Sequence, residues 1–305
     1  MGLSNLRSLA VSESRTLGKS FGHFAADIKL AHSVFALPFA ASAFFIGSIP
    51  LPSLKHTILL VICMVTARTT AMGMNRFLDR HIDLSNPRTR SRKIPSGQLS
   101  AFQSLFWSLM AAVLFVFAAV SLSPLAGYLA IPLLVVLIAY SWMKRLSWIT
   151  HWYLGLCLGL APMAIEIAMT GTLSLPIFLL GLAVTFWTGG FDILYSLQDM
   201  DFDKKLGLYS VPSKFGPAKA IWLSRISFCL MICLLSAVGL MANRGYVYFW
   251  GVFFVGVILI AEHWLVREAK HTGKSHHIGI AFFNINAWVS VVFFAFVALD
   301  YWVRS

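Results

Sequence analysis

Charge is what this 305-residue sequence has least of: 12% of its residues are Asp, Glu, Lys or Arg, and only twelve are acidic. An average soluble domain carries about twice that fraction. With 58% apolar residues and 14% aromatics, a soluble domain would have too little polar surface to face water, so composition excludes that class and leaves an integral membrane protein. Cysteine is also scarce. Cys63, Cys157, Cys229 and Cys233 each sit in an apolar run without paired histidine spacing, which indicates neither a zinc site nor a disulfide framework. Cys229 and Cys233 are one helical turn apart and read as packing. No stretch reads as a separate soluble domain.

Uncharged apolar stretches of bilayer length fall at roughly 33–50, 54–74, 103–122, 125–142, 152–169, 174–195, 219–240, 246–265 and 278–302. The expected fold is therefore an all-α membrane protein, a bundle of about nine transmembrane helices. Turn chemistry separates the stretches at Pro50 and Pro52, Ser123 and Pro124, Gly171, Asn243 to Gly245, and Gly273. Residues 1–32 read as a basic cytoplasmic arm, with a weak transit peptide as the other reading, and 33–302 as one membrane domain. Bases set the orientation, because they collect in cytoplasmic loops. With the amino terminus inside, the outer segments hold only Lys55, Arg244 and Arg304, and nearly all other bases are inside. The net charge of +12 then reflects anionic lipid and phosphorylated ligands, with no need for nucleic acid.

Half of the acids fall in two short segments, Asp79 with Asp83, and Asp192, Asp199, Asp201 and Asp203. Four expected spans separate them, an even number, so both segments reach the same membrane face. At helical spacing Asn75, Asp79 and Asp83 lie within about 80° of arc. Asp192, Tyr195, Asp199 and Asp203 share a similar arc if the helix continues, whereas Asp201 points away. Carboxylates gathered beside a bilayer repel one another and resist burial. A divalent cation relieves both, and an oxygen-only ligand set suits Mg²⁺. "NPRTRSRKIPSG" places Arg88, Arg90, Arg92 and Lys93 directly after the first acidic segment, and guanidinium forks match phosphate oxygens. A basic run next to a membrane ordinarily contacts lipid headgroups. Between two carboxylate groups, it points to a lipid-borne diphosphate.

"NRFLDRHID", "RTRSRKIPSG" and "DILYSLQDMDFD" resemble the paired aspartate motifs of the UbiA superfamily of intramembrane prenyltransferases, and "YSWMKR" occupies the family's Tyr-x-x-x-Lys position. The similarity covers nearly the whole chain. Arg76 stands where the commonest form of the first motif has an Asp, and "IKLAHSVFALPF" looks most like quinone-pathway members. The resemblance implies a nine-span bundle enclosing a cavity under a polar cytoplasmic cap. It also implies Mg²⁺ held by Asn75, Asp79 and Asp83 on one wall and by Asp192, Asp199 and Asp203 on the other, bridging a polyprenyl diphosphate. Arg88, Arg92 and Lys144 are then further donors to the diphosphate, and Arg68 is a candidate donor from within the second span. The departing diphosphate leaves an allylic cation that an aromatic acceptor attacks, 4-hydroxybenzoate or a naphthoic analogue, in ubiquinone or menaquinone biosynthesis. Tyr140, Tyr195 and Trp187 are candidates to stabilise that cation through their ring faces, although such residues also belt membrane interfaces.

Lys29 is placed at the mouth of the first span, where it binds either the acceptor carboxylate or lipid phosphate. His32 sits near the same mouth. Glu166 and Arg225 lie within spans and are expected to be paired or to face a cavity. His271, His276 and His277 read as part of a solvated basic loop. A transporter is the competing class, since intramembrane carboxylates also form ion paths; against it, the charges gather at one face, away from the midplane. Phosphotransfer to a nucleotide-activated lipid lacks its compact glycine-containing aspartate cluster. The expected location is a bacterial inner membrane, with a mitochondrial inner membrane second.

Overall fold

Helix boundaries follow the capping chemistry written into the loops. The computed structural model of the chain describes residues 18–29, 37–47, 49–272 and 275–304, with the backbone alone for 266–284. Helix α1 spans 18–27, and α2 is Leu37–Ile46. Ser53 starts α3 (Leu54–Leu78) by accepting the His56 amide. Asp79 then separates α3 from the short α4 (Arg80–Ser85). Ser100 and Gln103 form a reciprocal capping box at α5 (Ala101–Leu122), the pairing that satisfies two orphan amides at once. Ser123 caps α6 (Pro124–Leu146), where Pro124 occupies a first-turn position that needs no amide donor. Helix α7 (Thr150–Thr170) stops at Gly171, with φ +75°, and α8 (Leu175–Ser196) runs into a 3₁₀ turn, Leu197–Asp199.

Helix α9 (Met200–Leu206) leads to α10 (Val211–Met241), which is broken at Gly216, φ 81°. Pro217 follows and disfavours helical geometry in the residue before it. Helices α11 (Tyr246–Thr272) and α12 (Ser275–Arg304) complete the bundle. The described residues contain no strand.

Eight of these helices are long and apolar enough to cross a membrane, and α2 is a shorter apolar helix. The protein is an integral, multi-pass membrane protein of all-α class. The stretch read from sequence as a first span over 33–50 contributes α2. Its ten residues rise about 15 Å, half of a bilayer core, and Phe39, Ala40 and Ala43 on it are buried in the bundle. Residues 1–17 of the amino-terminal stretch and His32 lie outside the described residues, as do the side chains of His271, His276 and His277.

Helices α2, α8, α10, α11 and α12 share one core, in which Leu180, Leu235, Tyr248 and Phe293 are fully buried. Helices α3, α5 and α6 share a second. Lipid tails are as apolar as leucine, so helices associate through close van der Waals contact. Glycine permits this between α7 and α8: a Cβ on Gly155 would collide with the carbonyl oxygen of Thr185, and one on Gly159 with that of Gly181. Phe117, Val135 and Ile260 are exposed on the bundle surface, as a lipid-facing wall requires.

One end of the bundle is polar. The C-termini of α3, α6 and α8 and the segments 79–100, 147–149 and 197–210 gather there, and α1 packs on α3, α5 and the 79–100 segment. Phe24 of α1 and Ile28 just after it are 1% exposed and pack with Leu99, Met72, Ile94 and Trp107, so residues 18–29 are built into this cap.

Candidate active site

A cavity of about 1110 Å³ opens beneath the cap. Helix α3 lines it from Leu60 to Arg76, α6 from Ala126 to Lys144, and α7 from Thr150 to Ala168; these walls are about 24–27 Å long at 1.5 Å per residue. Its deep walls are apolar, with Leu60, Met64, Phe115, Leu133 and Met163 among them. Its mouth carries Asn75, Asp79, Asp83, Arg88, Arg92, Lys144, Asp192, Tyr195, Asp199 and Asp203.

The first carboxylate group keeps its helical register although α3 ends at Leu78. The Asp79 amide donates to the Asn75 carbonyl at 2.9 Å and the Asp83 amide to the Asp79 carbonyl at 2.8 Å, so all three side chains stay on the cavity side. Asp79 is 2% exposed. Its carboxylate accepts from Asn75 Nδ2 (3.0 Å) and is ion-paired to Lys144 Nζ (2.7 Å) and Arg145 (2.9 Å). Asp83 is paired to Arg92 at 2.6 Å.

On the opposite wall the register does break, because the 3₁₀ turn follows α8. Asp192 remains on α8 and meets His151 Nδ1 at 2.7 Å. The Val211 amide donates to His151 Nε2 at 3.1 Å, so Nε2 carries the lone pair and Nδ1 donates its proton to Asp192. Asp199 terminates the 3₁₀ turn, and Asp203 sits on α9 beside the Ser210 hydroxyl.

The two walls are joined directly. Arg88 forks onto Asp199, its Nε reaching Oδ1 at 2.9 Å, and also donates to the Tyr195 hydroxyl at 3.2 Å. Asn86 Nδ2 donates to Asp199 at 3.2 Å. Arg88 also lies 5.4 Å over the Tyr195 ring. Segments more than a hundred residues apart in sequence thus meet at one mouth.

Lys29 closes this mouth from α1, with φ 49°. Burial lowers its pKa, and the guanidiniums of Arg76, Arg92 and Arg88 lower it further. Lys29, Arg76, Arg88 and Arg92 thus gather at one opening beside its carboxylates. Arg68 reaches the carbonyls of Ile28 and Lys29 at 3.5 Å, holding the end of α1 against α3.

Comparison with known proteins agrees with this architecture. Residues 36–288 match the UbiA prenyltransferase family. The chain belongs to the UbiA prenyltransferase family. It is 30% identical over 256 residues to a protein of Shewanella piezotolerans named 4-hydroxybenzoate octaprenyltransferase, covering 83% of this chain and 86% of that one. A second of that name, from Shewanella pealeana, is 28% identical over 88% of each chain. The fold matches the apo structure of a UbiA homolog from Aeropyrum pernix K1 with a TM-score of 0.78, at 27% identity over 89% of this chain and 98% of that one. It also matches a UbiA homolog from Archaeoglobus fulgidus solved bound to DMAPP and Mg²⁺, with a TM-score of 0.63 at 19% identity, over 90% and 99% of the two chains. The protein is a prenyltransferase.

Within this UbiA-family fold, the residues singled out in the sequence occupy distinct places. Tyr140, Arg68 and Lys29 line the cavity with the carboxylates, and Asp201 is exposed and does not line it. Trp187 is 3% exposed on the cavity wall and so does not belt an interface. Arg76 is buried and turns towards α1. Its Nε donates to the Asp27 carbonyl at 3.3 Å. Glu166 is satisfied by the Ser174 amide at 2.8 Å, and Arg225 lies over the Trp222 ring on the outer surface.

Asp27, Asn86, Arg145 and His151 are site residues that sequence reasoning missed. A histidine at the first turn of a span, on the same face as the carboxylates, was a legible signal for His151. Asp27 had none, since its place depends on α1 folding back over the cap, where its Oδ1 accepts the Lys93 amide at 2.7 Å.

Proposed function

We propose that this chain transfers a polyprenyl group from a polyprenyl diphosphate to an aromatic acid of the 4-hydroxybenzoate type, with Mg²⁺, in quinone biosynthesis at a bacterial inner membrane. The observation that carries this reading is the Arg88 and Asn86 contact with Asp199, which brings the carboxylates of residues 79–83 and 192–203 to one cavity mouth. The names of the relatives support the acceptor class and a long donor. The Archaeoglobus homolog, bound to DMAPP and Mg²⁺, supports the pairing of diphosphate with metal in this fold.

Among the described residues, no three His, Cys, Asp or Glu side chains form a ready metal cluster. The donor set nevertheless fits Mg²⁺: carboxylate and amide oxygens on two facing walls, with room for phosphate and water oxygens, and Mg²⁺ takes one or two carboxylates in such sites. Asn75, Asp79, Asp83, Asp192, Asp199 and Asp203 would hold it. Bound there, Mg²⁺ neutralises the charge that builds on the departing diphosphate.

Arg88, Arg92 and Lys144, now paired to Asp199, Asp83 and Asp79, exchange those carboxylates for diphosphate oxygens. His151 keeps Asp192 aimed at the site. The isoprenoid tail runs down the apolar walls of α3, α6 and α7, which exclude water from the allylic cation. The allylic C–O bond breaks with its electron pair leaving on the diphosphate. A ring carbon of the acceptor then forms the new C–C bond, and the ring proton is lost to restore aromaticity. Tyr140 and Tyr195 present ring faces to the cation, while Lys29 binds the acceptor carboxylate.

The test uses purified protein in bilayer discs, radiolabelled polyprenyl diphosphate and 4-hydroxybenzoate, with Mg²⁺ or a chelator. Prenylated acid is expected with Mg²⁺ and none with chelator. Turnover with a naphthoic acid alone would move the acceptor to the menaquinone class, and ion flux without prenyl turnover would overturn the proposal.

A further inference from the structure

Three polar side chains form a line below the carboxylate mouth, in the apolar half of the cavity wall. Glu262 on α11 is fully buried and Asn286 on α12 nearly so. The Trp187 indole N–H donates to Asn286 Oδ1 at 3.0 Å, and Asn286 Nδ2 donates to Glu262 Oε1 at 2.8 Å. An indole N–H can only donate, which fixes the amide orientation of Asn286 and gives the line one direction, from Trp187 to the carboxyl. Trp187 and Asn286 line the cavity, whereas Glu262 stands behind them.

Trp187 precedes Asp192 by five residues, about 7.5 Å along α8 and about 140° around it, and both side chains line the same cavity. Phe39 and Phe191 hold that ring, with centroids 4.9 and 5.2 Å away. A carboxyl group buried between membrane helices costs more than an ordinary interhelical hydrogen bond returns, so cohesion alone does not account for Glu262. Its effect on Trp187 does: an acceptor at the end of a hydrogen-bonded line polarises the donors before it. A more strongly held indole N–H enriches the negative face of the ring.

We infer that Trp187 is a further aromatic face, beside Tyr140 and Tyr195, that stabilises the developing allylic cation, and that Asn286 and Glu262 are positioning residues that orient and polarise its indole. This rests on the prenyl-transfer reading above. Both residues act on the barrier and not on substrate binding, because the cation exists only after the C–O bond breaks.

The experiment replaces Trp187 with mono-, di- and trifluorinated tryptophan, which keep its shape while thinning the negative face of the ring, and assays prenyl transfer with Mg²⁺. The expected result is a stepwise fall in kcat with each fluorine, to about thirtyfold overall, at constant KM for donor and acceptor. Glu262→Gln, which retains an oxygen acceptor for Asn286, should stay near the unaltered protein, whereas Glu262→Leu, which removes it, is expected to lower kcat severalfold at unchanged KM. Combined with Trp187→Phe it should add nothing to the loss seen in Trp187→Phe alone. A flat kcat across the fluorinated series, or losses that simply multiply, would overturn the inference. Absence of prenyl transfer by the unaltered protein would instead overturn the functional reading beneath it.

Discussion

Asp79 holds three partners at once, Asn75, Lys144 and Arg145, and Asp199 holds Arg88 and Asn86; both carboxylates line the cavity. Asp79→Ala and Asp199→Ala are each expected to lower turnover by about a hundredfold or more, with the protein still recovered folded from membranes. Asp79→Asn, which keeps the shape of the side chain, should lose activity equally. Asp201→Ala should stay within about twofold of wild type, since Asp201 is exposed on the far side of α9; radiolabelled transfer assays check all four. Lys29 gives a pH dependence. Its pKa is lowered by burial and by the neighbouring guanidiniums, and lysine is charged only below its pKa. The KM for the aromatic acid should therefore rise at a lower pH than ordinary lysine titration would give. Lys29→Arg, whose charge persists through that range, should flatten the profile, and parallel curves would remove Lys29 from acceptor binding.

Helices hold this site by where they stop. The 3₁₀ turn after α8 and the Asp79 junction after α3 let each chain turn into the cap while its carboxylates still face the cavity. Sequence spacing gave the correct face for residues 75–83, where helical hydrogen bonds continue through Asp79. It assumed an unbroken helix through 192–203, where there is none. Asp203 nonetheless lines the cavity with Asp192 and Asp199, and Asp201 does not. The α7 and α8 walls depend on glycine at their contact. Gly155→Ala places a Cβ against the Thr185 carbonyl, and overpacking of that kind costs about 1–3 kcal/mol. A lowered thermal midpoint in detergent, together with reduced turnover, is the expected outcome.

At the scale of the whole molecule, the cap gathers Arg88, Arg90, Arg92, Lys93, Lys144 and Arg145 at one end, while Lys55, Arg244 and Arg304 stand at the other. By the positive-inside rule, that asymmetry predicts a cytoplasmic cap. In a background with the native cysteines replaced, Arg90→Cys and Lys55→Cys, both at exposed positions, should be labelled by an impermeant maleimide from opposite sides of sealed vesicles. Labelling of both from one side would refute the orientation. The cavity has the same polarity, since its charged mouth lies under the cap and its apolar depth extends towards the opposite end.

The sequence by itself determined the membrane class, eight of the nine expected spans, the convergence of two acidic segments and the family, because each is written in local signals: apolar run length, the parity of crossings, and motif spacing. Tertiary structure alone decided which base answers which carboxylate and where α1 lies. It also decided the partner of Arg76, and that Trp187, Asn286 and Glu262 form one line. Those are contacts between helices distant in sequence, and no periodicity within a single helix encodes the side chain that a neighbouring helix will present to it.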